Sequence, residues 1–222
     1  MPAPKPGKVL VTDFDGTMTR EDFYRLVVGE MLPPGTPDHW GEYRRGEITH
    51  FECLRRYFAC IRATEAEVLA AVDRMGLDPG LPAAVAELNA AGWVVVVASA
   101  GCEWYIRKLL GAAGVDVEVH SNPGRFVEGQ GLLLEMPTAS PFLSQMLGVD
   151  KAMVVRWHLD AGRTVAFAGD GYPDADAARL VPADLRFARA DLARVLDREG
   201  LPYRPFAAWS EVARDLLAKG AT

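Results

Sequence analysis

Two aspartates, Asp13 and Asp15, stand at the end of an apolar run in VLVTDFDGTMTRED (residues 9–22), and Gly16 follows them. On an extended strand, residues i and i+2 point the same way, so both carboxylates project together from the strand's carboxyl end. The glycine then lets the chain turn sharply. A second apolar run, TVAFAGD (164–170), delivers Asp170 to the same kind of edge, and GDGYPDAD adds Asp174 in the turn beyond it, with Asp176 further along the next helix. Each residue alone also reads as local structure: Asp15, Gly16 and Thr17 as turn formers, Asp13 as a helix cap, Asp170 and Asp174 as an Asx-turn and an N-cap. If the two strands are neighbours, up to four carboxylates share one pocket and cannot all stay ionised without a cation. A hard, oxygen-seeking divalent ion, Mg²⁺, suits them, with a phosphate oxygen and waters completing its octahedron.

A phosphate needs donors and positive charge as well. Ser99 ends the run WVVVVAS (93–99), Ala100 and Gly101 follow, and a helix is predicted from about Cys102. A hydroxyl, free amides and a helix dipole then meet an anion at one point, although a serine that only caps the helix uses the same residues. Lysine is scarce, at positions 5, 8, 108, 151 and 219 only. Lys151 precedes the fourth core strand, where its ammonium can reach the pocket and balance charge on a phosphoryl group, whereas a lysine alone reads as a solvated surface residue.

The elements that would hold these groups alternate. Strand candidates at 8–14, 93–99, 115–121, 164–170 and 185–188 are separated by helical patterns such as LPAAVAELNAAG and CEWYIRKLLGAAG, closed by Gly92 and Gly114. That order predicts an α/β protein with a doubly wound, Rossmann-like, mostly parallel sheet. From about 19 to 78 no strand pattern occurs, and helix starts take its place: Thr49 with Glu52 and Thr64 with Glu67 at capping-box spacing, and Thr19 with Asp22 as a weaker version. The expectation is a small all-helical cap at 19–79 inserted after the first strand, with a catalytic core of 1–18 and 80–222. Residues 121–141, punctuated by glycine, read as a β-hairpin flap.

The bulk numbers exclude several classes. A chain of 222 residues with net charge −6 and half its residues hydrophobic is globular and carries no electrostatic footprint for nucleic acid. The run WVVVVASA is too short to span a bilayer, and the start MPAPKPGK has no apolar stretch behind it, so a cytoplasmic protein without a membrane partner is expected. Cys53, Cys60 and Cys102 form no C-x-x-C pair and read as small buried residues. His39, His50, His120 and His158 lack zinc spacing and read as packing or surface residues. The sequence leaves the choice between monomer and homodimer open.

The order D-x-D-G-T, a strand-terminal Ser99, Lys151, then G-D-G-x-x-D resembles the haloacid dehalogenase superfamily of phosphatases, and the motifs span Asp13 to Asp174. The helical insert resembles the small cap of its phosphoserine phosphatase-like branch. GEITHFECLRRYFACI and the C-terminal RFARADLARVLDREGLPYRPFAAWSEVARDLL are similar to the methionine-salvage group acting on 2-hydroxy-3-keto-5-methylthiopentenyl 1-phosphate. The resemblance implies Asp13 as a nucleophile that forms an aspartyl-phosphate and Asp15 as general acid and base. It implies Mg²⁺ held by Asp13, the Asp15 carbonyl, Asp170 and Asp174, phosphoryl contacts from Ser99, Ala100 and Gly101, and Lys151 for charge balance. The substrate implied is a small phosphorylated metabolite. Asp22, Arg25, Arg44, Arg45, Arg55, Arg56 and Tyr57 are candidates for reading its leaving group, with Asp22 and Arg56 foremost. The chain departs from the pattern by lacking a cysteine-bearing segment before Lys151, and by placing Tyr57 where the phosphoserine branch has a substrate-binding arginine. A phosphotransferase using the same intermediate, or a receiver-like module that only binds phosphate, are the competing readings.

Overall fold

A computed structural model describes residues 7–219. In chain order the strands are β1 (Lys8–Thr12), β2 (Trp93–Cys102), β3 (Glu118–Asn122), β4 (Gly124–Val127), β5 (Gly131–Leu134), β6 (Leu143–Ser144), β7 (Gly148–Val149), β8 (Thr164–Gly169), β9 (Arg186–Ala188) and β10 (Arg204–Pro205). The α-helices are α1 (Phe23–Glu30), α2 (His39–Arg44), α3 (His50–Ala59), α4 (Glu65–Arg74), α5 (Leu81–Ala90), α6 (Glu103–Ala112), α7 (Lys151–Asp160), α8 (Ala175–Arg179), α9 (Ala190–Glu199) and α10 (Trp209–Lys219).

Six strands form the main sheet in the order β10-β9-β8-β1-β2-β3, every pair parallel. A sheet buried on both faces needs apolar residues at every position, which is why β2 reads as an unbroken run and is buried at nine of its ten residues. Leu10, Val95 and Val97 face α5 and α10, whereas Val9, Val11 and Val96 face α7, α8 and α9. The chain starts in the middle, winds outward through β2 and β3, then returns to the other side of β1 with β8. The order reverses between β1 and β8, and open α/β sheets hold their ligands outside the carboxyl ends of the strands at that point. Trp209 of α10 ties the end of the chain to this place, donating its indole N–H to Thr12 Oγ1 at 2.9 Å.

Between β1 and β2 the chain runs through α1 to α4 before returning at α5. An antiparallel bridge of Thr19 with Leu77, and Asp78 N–H donating to Met18 O at 3.0 Å, bring the two ends of this insert together. Its apolar faces, among them Phe23, Phe51, Phe58 and Val72, continue the core on one face of the sheet. Residues 124–134 form the expected antiparallel hairpin of β4 and β5, against which α3 packs.

Local expectations were met unevenly. Thr64 and Glu67 make a full capping box, but only half of one forms at Thr49, because the Glu52 carboxylate is drawn to Arg55 and Arg56. Thr19 caps nothing. It accepts from Gly16 N–H, and Asp22 itself caps α1 by accepting from Tyr24 N–H. The third strand begins at Glu118 rather than 115. Strand β2 runs on to Cys102, past the predicted end, so α6 starts at Glu103 with Cys102 as its cap residue. The short strands β6, β7 and β10 carry no alternation a reader of the sequence would detect.

Candidate active site

At the β1/β8 reversal a cavity of about 760 Å³ opens between the sheet edge and the insert. Asp13, Asp15, Asp22, Ser99, Ala100, Gly101, Lys151, Asp170 and Asp174 all line it, although they come from five separate elements or loops.

Asp13 follows β1 and its N–H donates to Ala168 O of β8 at 2.9 Å, so the backbone ladder fixes its position. Lys151, the first residue of α7, is buried and reaches Asp13 Oδ1 at 2.7 Å and Asp174 Oδ1 at 2.5 Å. The other oxygen of Asp174 accepts the N–H groups of Asp170 and Gly171 at 2.9 and 2.8 Å. Thr17 Oγ1 stands between Asp170 Oδ1 (3.1 Å) and Asp13 Oδ2 (3.4 Å). Asp13, Asp170 and Asp174 each offer an oxygen, all within 4.8 Å of one another.

Asp15 has different company. Its Oδ2 accepts from the Tyr105 hydroxyl at 2.8 Å and from Ser99 Oγ at 3.4 Å, and its Oδ1 accepts from Phe23 N–H at 3.2 Å. Two glycines are required by these approaches. Gly16 sits at φ 68°, where a side chain is strained, and a Cβ there would strike the Asp170 carboxylate. A Cβ on Gly101 would strike the Tyr105 hydroxyl and Asp15.

Burial dominates the electrostatics. It raises the Asp15 carboxyl to about 7, helped by the charge of Asp13 and opposed by Tyr105 and Phe23 N–H. Asp22 is pushed to about 7 by burial and then by Asp15, and Asp170 to about 7 by burial and then by Asp174. Burial also drives Asp13 upward, against the pull of Lys151. Burial would lower Lys151, yet the charges of Asp13 and Asp174 outweigh it and hold the ammonium above its ordinary value. Asp13, Lys151 and Asp174 form one buried cluster in which a single ammonium serves several carboxylates. Three convergent carboxylates with this excess of negative charge fit a hard divalent cation.

The insert supplies the opposite wall. Tyr24, Trp40, Tyr43, His50, Leu54 and Phe58 line the cavity there, with Arg25 and Arg44. Arg56 is not on this wall. Its guanidinium pairs with Glu52 at 2.7 Å and Glu42 at 3.1 Å. Arg45 pairs with Glu47 and Arg55 with Glu52, while Tyr57 is buried with its hydroxyl accepting from Trp40 N–H at 3.1 Å. Asp176 is exposed on α8 and pairs with Arg179.

Sequence reasoning passed over three residues. Tyr105 is the third residue of α6, a place that signals it only once Asp15 is known to lie opposite. Thr17 belongs to the D-x-D-G-T motif, where it reads as a turn former. Arg189 gives no local signal, yet its guanidinium donates to Gly16 O (2.6 Å), Thr19 O (2.7 Å) and Ala207 O (2.7 Å), holding the loop that carries Asp15.

A Rossmann-like sheet whose reversal point gathers carboxylates, a lysine and a serine defines a hydrolase of phosphate esters. The chain belongs to the haloacid dehalogenase-like hydrolase family, whose model matches residues 10–179, and it is a phosphatase within it. It is 26% identical over 213 residues to a 2-hydroxy-3-keto-5-methylthiopentenyl-1-phosphate phosphatase of Microcystis aeruginosa, covering 96% of this chain and 99% of that protein. It is 27% identical over 137 residues to a phosphoserine phosphatase of Idiomarina loihiensis, covering 59% of this chain and 58% of that one. Among solved structures, a phosphoserine phosphatase in a phospho-aspartyl intermediate analogue form superimposes with a TM-score of 0.63 at 18% identity, covering 95% and 99% of the two chains.

Proposed function

We propose that this protein hydrolyses a small phosphorylated metabolite through an aspartyl-phosphate on Asp13. The observation that supports the reading is the contrast in what holds two neighbouring carboxylates: Asp13 is paired with the Lys151 ammonium at 2.7 Å, whereas Asp15 accepts from the Tyr105 and Ser99 hydroxyls and from Phe23 N–H and makes no ion pair among the described residues. Two titratable groups with separated environments take separate roles. The Asp13 carboxylate attacks phosphorus, the P–O bond to the leaving group breaks, and Asp15 delivers its proton to the departing oxygen. Asp15, now ionised, takes a proton from a water that attacks phosphorus, and phosphate leaves with Asp13 restored. Ser99 and the amides of Ala100 and Gly101 hold the phosphoryl oxygens, with Lys151 opposing their charge.

Asp13, Asp170 and Asp174 would hold Mg²⁺ with the Asp15 carbonyl, and the ion would neutralise phosphoryl charge. Residues 19–79 act as a cap over a core of 1–18 and 80–222, excluding bulk water during turnover. The relatives name two candidate substrates, phosphoserine and the methionine-salvage phosphate. Passing the phosphoryl group to an acceptor other than water would use the same intermediate, and equal release of phosphate and alcohol distinguishes hydrolysis from it.

Purified protein with Mg²⁺ is expected to hydrolyse p-nitrophenyl phosphate. Asp13→Asn should lower kcat by on the order of 10⁴-fold or more while circular dichroism and thermal melting show a folded chain. Near wild-type turnover in a folded Asp13→Asn protein would overturn the nucleophile.

A further inference from the structure

Strand β2 does not run straight past the phosphate site. It pairs Ala98 with His120 of β3 and next Cys102 with Asn122, so Ser99, Ala100 and Gly101 stand against the single residue Ser121. Two extra residues bulge out of the ladder there, and the carbonyls of a bulge lose their ladder partners and need others. The end of β3 supplies them: Asn122 Nδ2 donates to Ala100 O at 2.8 Å, and Ser121 Oγ donates to Gly101 O at 3.0 Å. Both side chains are buried, Asn122 completely. Asn122 Nδ2 also donates to Leu147 O at 3.2 Å, four residues ahead of Lys151. Gly148, at φ 82°, admits that approach, since a Cβ on it would strike the Asn122 amide. Among the described residues Asn122 Oδ1 has no hydrogen-bond partner. A buried acceptor without a partner costs stability, so the side chain is held there for its two donor bonds.

We infer that Asn122, with Ser121, is a positioning residue for phosphoryl binding: it sets the Ala100–Gly101 peptide and keeps it in register with the segment that leads into Lys151. The inference rests on the phosphatase reading above and deepens it. In a planar trans peptide the C=O and N–H point opposite ways, so a carbonyl held by Asn122 turns the Gly101 N–H away from β3. That N–H donates to Ser99 Oγ at 3.0 Å, and Ser99, Ala100 and Gly101 all line the cavity. Donors that meet charge as it develops are most effective when their orientation is fixed beforehand, which a bulge without these two anchors would not achieve. The Leu147 bond extends the same control to α7, whose first residue brings its ammonium to Asp13. One side chain outside the cavity lining thus joins two of the groups that meet the phosphoryl oxygens.

The test titrates Mg²⁺ alone, and then inorganic phosphate with Mg²⁺ present, into wild-type protein and variants by calorimetry. Asn122→Leu keeps the volume and removes both donors. Its phosphate Kd is expected to rise about tenfold or more, with kcat/KM for p-nitrophenyl phosphate falling at least as far. Ser121→Ala should raise the phosphate Kd about threefold, and Ser121→Thr, which keeps a hydroxyl, should recover most of that loss. These two variants decide the matter if Asn122→Leu does not fold. The Mg²⁺ Kd should stay within about twofold of wild type throughout, because Asp13, Asp170 and Asp174 sit on other elements. Wild-type phosphate affinity in a folded Asn122→Leu protein, or equal losses of phosphate and Mg²⁺ affinity, would reduce Asn122 to a packing residue and leave the phosphatase standing. If wild type binds phosphate but hydrolyses no p-nitrophenyl phosphate, the phosphatase reading fails while the Kd comparison still decides the role of Asn122. Neither binding nor hydrolysis by wild type would overturn both.

Discussion

On the sheet side of the cavity Asp13, Lys151 and Asp174 are all buried, and each charge has a partner on another element. On the insert side, among the described residues, Arg25 and Arg44 line the cavity without an ion pair and His50 Nδ1 is buried without a hydrogen-bond partner. The first wall is over-determined: parallel strands fix the backbone, backbone amides hold Asp174, and the lysine locks two carboxylates. The second is joined more by ring contacts among Tyr24, Trp40, Tyr43 and His50, with the Trp40 N–H on the Tyr57 hydroxyl and the Arg56–Glu42 pair tying α2 to α3, and ring contacts tolerate exchange of one ring for another. A group that reacts with the same phosphoryl chemistry must not move, whereas a surface that meets a variable leaving group can change without disturbing the reaction. The difference predicts that damage to the two walls will have different symptoms.

The largest effect is expected on the sheet side. Lys151→Met removes the one ammonium between Asp13 and Asp174 and leaves two buried carboxylates facing each other. A broken buried pair costs about 3–5 kcal/mol, so the melting temperature should fall steeply at neutral pH. Mg²⁺ should raise the melting temperature of wild-type protein, and of the variant by more, because the cation replaces the missing charge. A variant as stable as wild type without added metal would show that the two walls are not held by different forces.

A smaller effect of opposite origin is expected from His50. Its folded pKa of about 4 lies below the ordinary 6.5, so between these values the unfolded chain binds a proton that the folded one refuses. Its contribution to stability is therefore complete above pH 6.5 and is lost as the pH falls to 4, by up to about 3 kcal/mol. The groups acting on it are Lys151 and Asp174 across the cavity, with Trp40 and Tyr43 packed against its ring. Asp15, Asp22 and Asp170, all raised to about 7, slope the other way, since stability falls as pH rises from the ordinary carboxylate range to 7. The readout is thus the difference between wild type and His50→Phe in urea midpoints from pH 7 to 4. A constant difference would remove the neutral buried imidazole from the account.

The two walls were also unequally legible. Asp13, Asp170 and Ser99 announce themselves because strands in a parallel sheet are written as apolar runs with polar stops, which the topology then brings together, whereas Lys151 stands out by the scarcity of lysine and its place ahead of a core strand. The insert carried helix starts, but helix faces do not say which neighbour they meet. Arg56 is a candidate because it adjoins Tyr57, which stands where the phosphoserine branch has a substrate-binding arginine. The structure instead spends it on Glu42 and Glu52, one helix away and one turn away. Trp40, Tyr43 and His50 lie within eleven residues of each other yet form a wall only after α2 folds against α3. Tyr105 and Arg189 act across 90 and 173 residues of sequence, a separation at which spacing carries no information.

Arg189 supplies the last and smallest effect, and it tests how the sheet side is held where no carboxylate is involved. The guanidinium serves three backbone carbonyls at once, from Gly16, Thr19 and Ala207, and so fixes the loop between Asp15 and the insert. Lysine keeps the charge but cannot present a planar fork of donors, so Arg189→Lys should lose roughly 1 kcal/mol of stability through carbonyls left partly unsatisfied. The sharper consequence is kinetic. A loosened Gly16 carbonyl lets Asp15 drift from the position that Tyr105 and Phe23 N–H define, and proton delivery suffers before binding does, so kcat should drop several-fold with KM nearly unchanged. A rise in KM at constant kcat would place the effect of Arg189 on the insert, through Thr19, and would mean that the two walls share a support at their hinge.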